Sequence, residues 1–386
     1  MKPATLEFIK QRFTEYYREG HLIAPPSVSE REWGFMYFES QAAAISMHRH
    51  MAFSAKRELF DYIRNVVPAH IYYSSAYYAE PAAPTMGEKR WYGADLIFDL
   101  DADHIMKGPY HLMLSKVKEE TEKLLEMLTE ELGFEKRAIR VVFSGGRGYH
   151  IHVTDISIRS WGSRERREIV DYVRGIGIEP RTIFSRDAQE CAGGWRSRLQ
   201  DVMEEYLAWL KERSANEALE HLTSIGGIGA AIANDVIKGI EDMIGELHRG
   251  DVPLLLRRRG VKTILSEKNP EFRRRLEECS ARADEPVTTD TKRLIRMPTS
   301  LHGGSGLRVT PLAVRDLPAF DPLIDAVVFG RREVEVEPAL TTSTRFLDND
   351  YRVEKGVTER IPEALAVFLC CRGLAEIAGG RSIAAG

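Results

Sequence analysis

The segment ADLIFDLDADH (94–104) places aspartates at alternate positions, Asp99, Asp101 and Asp103. On an extended strand that spacing projects the carboxylates from one face. Grouped carboxylates are costly to bury unless a cation lies between them, and all-oxygen donors suit magnesium or manganese. A solvated strand end carrying loop aspartates is the bland alternative. Position argues against it, because the acids follow directly on the apolar run LIF.

A second group is SGGRGYHIH (144–152). Gly145, Gly146 and Gly148 allow backbone amides to approach a ligand closely and form an anion-accepting nest. Ser144 adds a hydroxyl, and Arg147 a fork suited to phosphate. His150 and His152 share one face of the outgoing strand, so one of them can reach the same ligand. The GxxxxGK[ST] spacing of a Walker loop is absent. A glycine-rich hairpin with surface polar groups is the competing structural reading. A zinc site on His150 and His152 is disfavoured, since its remaining ligands have no evident source.

The third group is DEPVTTDTKRLIRMPTSLHGGSGLRV (284–309). Asp290 stands in a polar turn, Lys292, Arg293 and Arg296 follow, and His302 adjoins the turn GGSG. Alone, this pattern is a capped turn with a solvated face. Together, carboxylates on separate segments and cationic phosphate receivers match the needs of two-metal nucleotidyl transfer. They do not separate a polymerase from a phosphohydrolase.

These groups need strands and turns to position them. Apolar periodicity predicts helices over 4–19, 52–67 and 109–134, and strands in HIYYS, ADLIFDL, AIRVVFSG and YHIHV, the last two bracketing the glycine turn. Beyond residue 160 the texture is helical, and sheet-type sequence returns in LRVTPLAV and FGRREVEVEP. IPEALAVFLCCRGLAEIAGG reads as a last helix. The expected organisation is an α/β core from 1–162 and 281–386, with a mainly helical subdomain over 163–280.

The 386 residues carry 54 basic and 58 acidic side chains, a net charge of −4, so a globally basic nucleic-acid binder is not indicated. Local cationic clusters can still bind such a partner. Cys191, Cys279, Cys370 and Cys371 form no CxxC pair, which argues against disulfide scaffolding and a cysteine-rich zinc knuckle. Cys370 and Cys371 are expected in a core or subunit-facing helix. The start reads as a charged amphipathic helix and no signal peptide, and no apolar run reaches the ~18 residues of a membrane span. A soluble, cytoplasmic setting is expected.

Two further features bear on nucleic acid. LTSIGGIGAAIANDVI (222–237) resembles a helix–hairpin–helix, with Gly227, Ile228 and Gly229 as the hairpin; a tight turn between two packed helices is the favoured alternative, since the pattern is degenerate and no lysine follows immediately. LLLRRRGVK (254–262) and EFRRRLEE (271–278) are the densest basic runs, either solvated helix faces or backbone contacts for a template.

The order FDLD, SGGRGYHIH, DTKRLIRMPTSLHG resembles the three motifs of the archaeo-eukaryotic primase superfamily, and within it the small catalytic subunits of archaeal DNA primases. REWGFMYF (31–38), MHRHMAF (47–53) and EKRWYGADLIFDLDADH (88–104) extend the likeness. The resemblance implies that Asp99, Asp101 and Asp290 hold two Mg²⁺ or Mn²⁺ ions, with Asp103 secondary. It implies that Ser144, Arg147 and His150, with Gly145 and Gly148 of the same turn, receive the triphosphate. Arg296 and His302 stand where the family places nucleotide contacts, and Arg31 and Arg49 are weaker candidates for the phosphate side. It implies an α/β (α+β) fold with a mixed sheet and a smaller helical domain.

By the same likeness the activity is synthesis of short RNA or DNA primers from NTPs or dNTPs on single-stranded DNA, beside a large subunit carrying an iron–sulfur cluster. Relatives often carry a zinc knuckle after the first motif. Here that stretch keeps His104 and His111 without a cysteine, so a structural zinc is expected to be absent. The alternatives are a repair-type primase-polymerase acting in gap filling or end joining, and a non-catalytic binding subunit.

Overall fold

Alternating apolar side chains decide the strand that carries the acids. In the computed structural model, which describes residues 1–38, 47–184 and 193–378, the chain is α+β and divides into two units. One comprises 1–125, 134–167 and 283–386; the other comprises 126–133 and 168–282.

The first unit contributes strands β1 (Trp33–Met36), β2 (His48–Met51), β3 (His70–Ser74), β4 (Ala76–Tyr78), β5 (Trp91–Ala94), β6 (Leu96–Asp101), β7 (Ile139–Phe143), β8 (Gly148–Val153), β9 (Leu294–Arg296) and β10 (Thr310–Leu312). Two four-stranded sheets result, ordered β2-β1-β3-β9 and β10-β7-β8-β6. Among the described strands every pairing is antiparallel, so the mixture in this fold lies in its helices and strands and not in strand direction.

On β6, Leu96, Phe98 and Leu100 are fully buried on one face, while Asp99 and Asp101 lie half-buried on the other. Burying three such side chains contributes roughly 1.5–3 kcal/mol each, and that fixes which face the aspartates take. On β8, Tyr149 and Ile151 are likewise fully buried, which leaves His150 and His152 on the acid-bearing face.

Helix Pro3–Arg18 buries Ile9, Phe13, Tyr16 and Tyr17 at helical spacing and packs against helix Glu363–Cys371. That second helix is buried from Glu363 through Cys370, so Cys370 belongs to the core.

The second unit is helical. Helices Trp195–Lys211, Ala215–Ser224, Ala230–Lys238, Ile240–His248 and Pro270–Cys279 pack around Leu199, Met203, Tyr206, Leu222, Ala233, Met243, Leu247 and Phe272. Ser214 and Glu217 form a capping box that starts the second of these helices. Gly227, Ile228 and Gly229 form the turn between helices Ala215–Ser224 and Ala230–Lys238, with Ile228 buried. The basic run at 271–278 is a paired helix face: Arg274 meets Glu271 at 2.7 Å, and Arg275 meets the same carboxylate at 3.0 Å. Cys191 lies outside the described residues.

Candidate active site

β6 lies at the edge of its sheet and pairs with β8 in the register Asp99↔His150 and Asp101↔Gly148. The two acids therefore face the same side as the histidines. Burial pushes the Asp99 carboxyl above the usual aspartate range; His150 and Arg293 oppose this, while Asp101 and Asp284 add repulsion. His150 Nε2 stands 3.4 Å from Asp99 Oδ1. Burial lowers the His150 pKa, outweighing the pull of Asp99, so the ring is neutral at neutral pH. His150 Nδ1 is buried without a hydrogen-bond partner among the described residues. His152 sits beside it, ring centroids 6.1 Å apart, buried and 3.5 Å from the Tyr73 hydroxyl; it does not line the cavity described below.

The glycine turn is held from within. Ser144 Oγ accepts the amides of Gly146 and Gly148, each at 3.3 Å. Gly145 has φ +74°, a left-handed conformation, and a Cβ there would lie 2.7 Å from His302 Cβ. Gly148 meets the opposite strand, where a Cβ would fall 2.2 Å from the Leu100 carbonyl oxygen. Its missing side chain thus serves strand pairing as well as ligand approach. Arg147 Nη2 pairs with Asp103 Oδ2 at 2.6 Å, which gives the third aspartate of the series a partner on the turn and a positioning role. The Tyr110 hydroxyl donates to the Gly146 carbonyl.

The third segment brings two aspartates, Asp284 and Asp290, towards the site. Asp290 is exposed and lines the cavity, with Oδ1 accepting the Lys292 amide at 2.9 Å; its charge acts on Tyr78 and Arg166. Of the two, the acid whose charge acts on Asp99 is Asp284. Its amide donates to the Asp99 carbonyl at 2.9 Å, and its carboxylate is among the charges that raise Asp99. Helix Glu285–Thr289 packs directly on β6, which brings Asp284 in and leaves Asp290 at the far end of the helix. Two loop aspartates six positions apart look alike in sequence, and only this packing separates them.

Arg296 on β9 places Nη1 2.6 Å from His70 Nδ1 and stacks over Tyr72 at 5.0 Å. His302 Nδ1 accepts the Gly304 amide at 3.1 Å, and burial lowers its pKa well below the ordinary histidine value. The ring is therefore neutral with its proton on Nε2, next to Gly146.

These groups share one cavity of ≈ 820 Å³. Asp99, Asp101 and His150 form one wall, Ser144, Gly146, Arg147 and Gly148 another, and Asp290 with Lys292, Arg293, Arg296 and His302 a third. Arg49 lines it too, held by Glu32 at 3.0 Å. Arg31 does not, contrary to expectation. It is fully buried, paired with Asp95 at 2.7 Å, and donates to the Ser74 and Ser75 carbonyls at 2.9 and 2.8 Å. An arginine buried and paired through both Nη atoms in this way is a structural pin. Sequence reasoning missed Tyr110, Cys371 and Arg372, which also line the cavity.

Among the described residues no three His, Cys, Asp or Glu side chains are gathered closely enough to hold an ion. The donors nonetheless suit one in kind. Asp99 and Asp101 offer oxygens from one strand face, and the cost of ionising buried Asp99 beside two like charges is what a divalent cation offsets. The side chain of His104 lies outside the described residues, and His111 is half-buried in helix Tyr110–Glu126. No helix among the described residues is long and apolar enough to cross a membrane.

Comparison with known proteins converges on one family. A family model described as DNA primase small subunit matches residues 98–314, a span that contains Asp99, Asp101, the glycine turn, Asp284, Asp290, Arg296 and His302. The chain is 56% identical to the DNA primase small subunit PriS of Methanoregula boonei over 98% of its length and 100% of the relative's. It is 54% identical to that of Methanosphaerula palustris over 99% and 100%, and 48% identical to that of Methanocorpusculum labreanum over 98% and 100%. With β6 acids, glycine turn and cationic wall all inside the matched span, this chain belongs to the DNA primase small-subunit family.

Proposed function

We propose that this chain is the catalytic subunit of a primase, joining nucleoside triphosphates into short RNA or DNA primers on single-stranded DNA. One observation carries the reading: the β6 acids face, across a single cavity, a glycine turn and a row of arginines with the charge and donors that a triphosphate needs. Asp99 and Asp101 would hold two Mg²⁺ or Mn²⁺ ions, with Asp284 as the third carboxylate and Asp290 as a cavity-wall residue. When bound, such ions sharpen a hydroxyl nucleophile and neutralise leaving pyrophosphate.

The chain's own residues do the rest. Arg147 and Arg296 grip phosphate oxygens, and the Gly146 edge of the turn lets the nucleotide approach the backbone. Neutral His302 donates through Nε2–H without adding charge. His150, neutral and beside Asp99, orients that carboxylate. Two half-buried acids raise the field at the reacting hydroxyl because little water screens them. The family likeness also supports a large-subunit partner, proposed to carry the iron–sulfur cluster; none of the cysteines here has the spacing to hold one.

The test is incorporation of labelled nucleotide on a single-stranded DNA template, with and without chelator. Asp101→Ala and Asp284→Asn should each lower incorporation by roughly 10²-fold or more, the several kcal/mol that metal-held charge stabilisation supplies. Asp290→Asn should cost under about tenfold. Undiminished synthesis by Asp101→Ala would sink the polymerase reading; a reversed order for the other two would restore Asp290 as the third ligand.

A further inference from the structure

We propose that Arg372 binds the terminal phosphates of the incoming nucleotide together with Arg147, an inference that rests on the nucleotide-binding reading of this cavity. Arg372 caps helix Glu363–Cys371, far from the three motifs in sequence, yet it lines the same cavity. Its guanidinium carbon lies 4.2 Å from the Tyr110 ring centroid and 5.1 Å from that of Phe368. Tyr110 in turn donates its hydroxyl to the Gly146 carbonyl. One aromatic residue therefore touches both the arginine and the glycine turn. One N–H of the guanidinium is taken by the Tyr110 hydroxyl, and of its five donors the others can turn to an anion.

The charge balance points the same way. Arg147 has Asp103 at 2.6 Å, and Arg49 has Glu32 at 3.0 Å. Arg372 has no carboxylate partner among the described residues. Burial disfavours its charged form; Tyr110 offsets part of this, and repulsion from Arg147 adds to it. Arg147 repels Arg372 even with Asp103 beside it, and the densest anion relieves the pair most. A triphosphate concentrates several charges within a few ångströms, whereas a nucleic-acid strand spreads single charges along its length. The nucleotide, not the template backbone, is the ligand these two arginines fit.

The experiment measures binding, not turnover, on the full chain: equilibrium affinity for ATP, AMP and a single-stranded oligonucleotide, in wild type, Arg372→Gln and Arg372→Lys. Arg372→Gln should weaken ATP by about tenfold or more, the effect of losing a charge-assisted bond. AMP and oligonucleotide affinities should change less than about twofold, and Arg372→Lys should recover part of the loss. A structural role would move all three ligands together with the melting temperature. Unchanged ATP affinity in Arg372→Gln, or a loss confined to the oligonucleotide, overturns the inference. Failure of wild-type protein to bind ATP at all strikes the underlying reading instead.

Discussion

Gly148 offers the sharpest test of the geometry, because its role is set by main-chain atoms that cannot rotate away. An alanine Cβ at this position would lie 2.2 Å from the Leu100 carbonyl oxygen, 3.1 Å from the Leu100 carbonyl carbon and 3.2 Å from Asp101 Cα. A relaxed carbon–oxygen contact is longer by roughly 1 Å, so β6 and β8 must separate by about that much at Asp101. Overpacking against rigid surroundings costs ~1–3 kcal/mol, and a weakened ladder bond adds ~1 kcal/mol. A destabilisation of about 3 kcal/mol is expected, roughly 6–12 °C in melting temperature for a unit of this size. Displacing an acid by ~1 Å should also lower nucleotide incorporation by about 10²-fold. Gly146→Ala is the control for melting alone: there the Cβ would meet only the end of the His302 ring, at 3.1 Å. Thermal unfolding of both variants and incorporation by Gly148→Ala decide the matter. Wild-type melting and activity in Gly148→Ala would refute the Asp101↔Gly148 register and the argument built on it.

Arg31→Met leaves buried Asp95 with the Tyr77 hydroxyl at 2.8 Å as its side-chain hydrogen-bond partner among the described residues, so chemical denaturation should reveal a loss of about 3–5 kcal/mol while ATP affinity of the folded protein stays unchanged. Weaker ATP binding at unaltered stability would return Arg31 to the pocket. Acid should also destabilise the fold. Burial, aided by Arg296, lowers His70 to about 3, and burial, aided by His150 and Arg31, lowers His152 to about 3. Below the ordinary histidine pKa near 6.5 the unfolded chain binds protons that these folded rings refuse, so stability falls as pH drops through that value. Melting temperatures between pH 7 and 5 should show this fall, and His152→Asn should make it shallower; an unchanged slope would mean that His152 titrates normally in the folded state.

Much of the architecture was legible in the sequence. The apolar alternation of LIFDL and of YHIHV is strong enough to choose strand and face at once, because a one-residue slip would bury aspartate and expose Phe98. The helical texture beyond residue 160 was equally plain. Other elements left no local trace. β1 and β2 lack clear alternation, and hairpin Thr342–Phe346/Asn349–Val353 turns through Leu347 and Asp348 at φ 48° and 60° without the glycine such a turn favours. Tertiary context imposes these conformations on residues that do not prefer them.

Residue types and spacing alone determined that a carboxylate pair, a glycine turn and a cationic segment had to exist, since those patterns express local backbone geometry. Which aspartate approaches the pair, whether Arg31 or Arg372 reaches the cavity, and that Gly148 yields to a strand were decided only by packing. Such choices depend on which surfaces helix Glu285–Thr289 and helix Glu363–Cys371 bury, and burial is a property of neighbours distant in the chain.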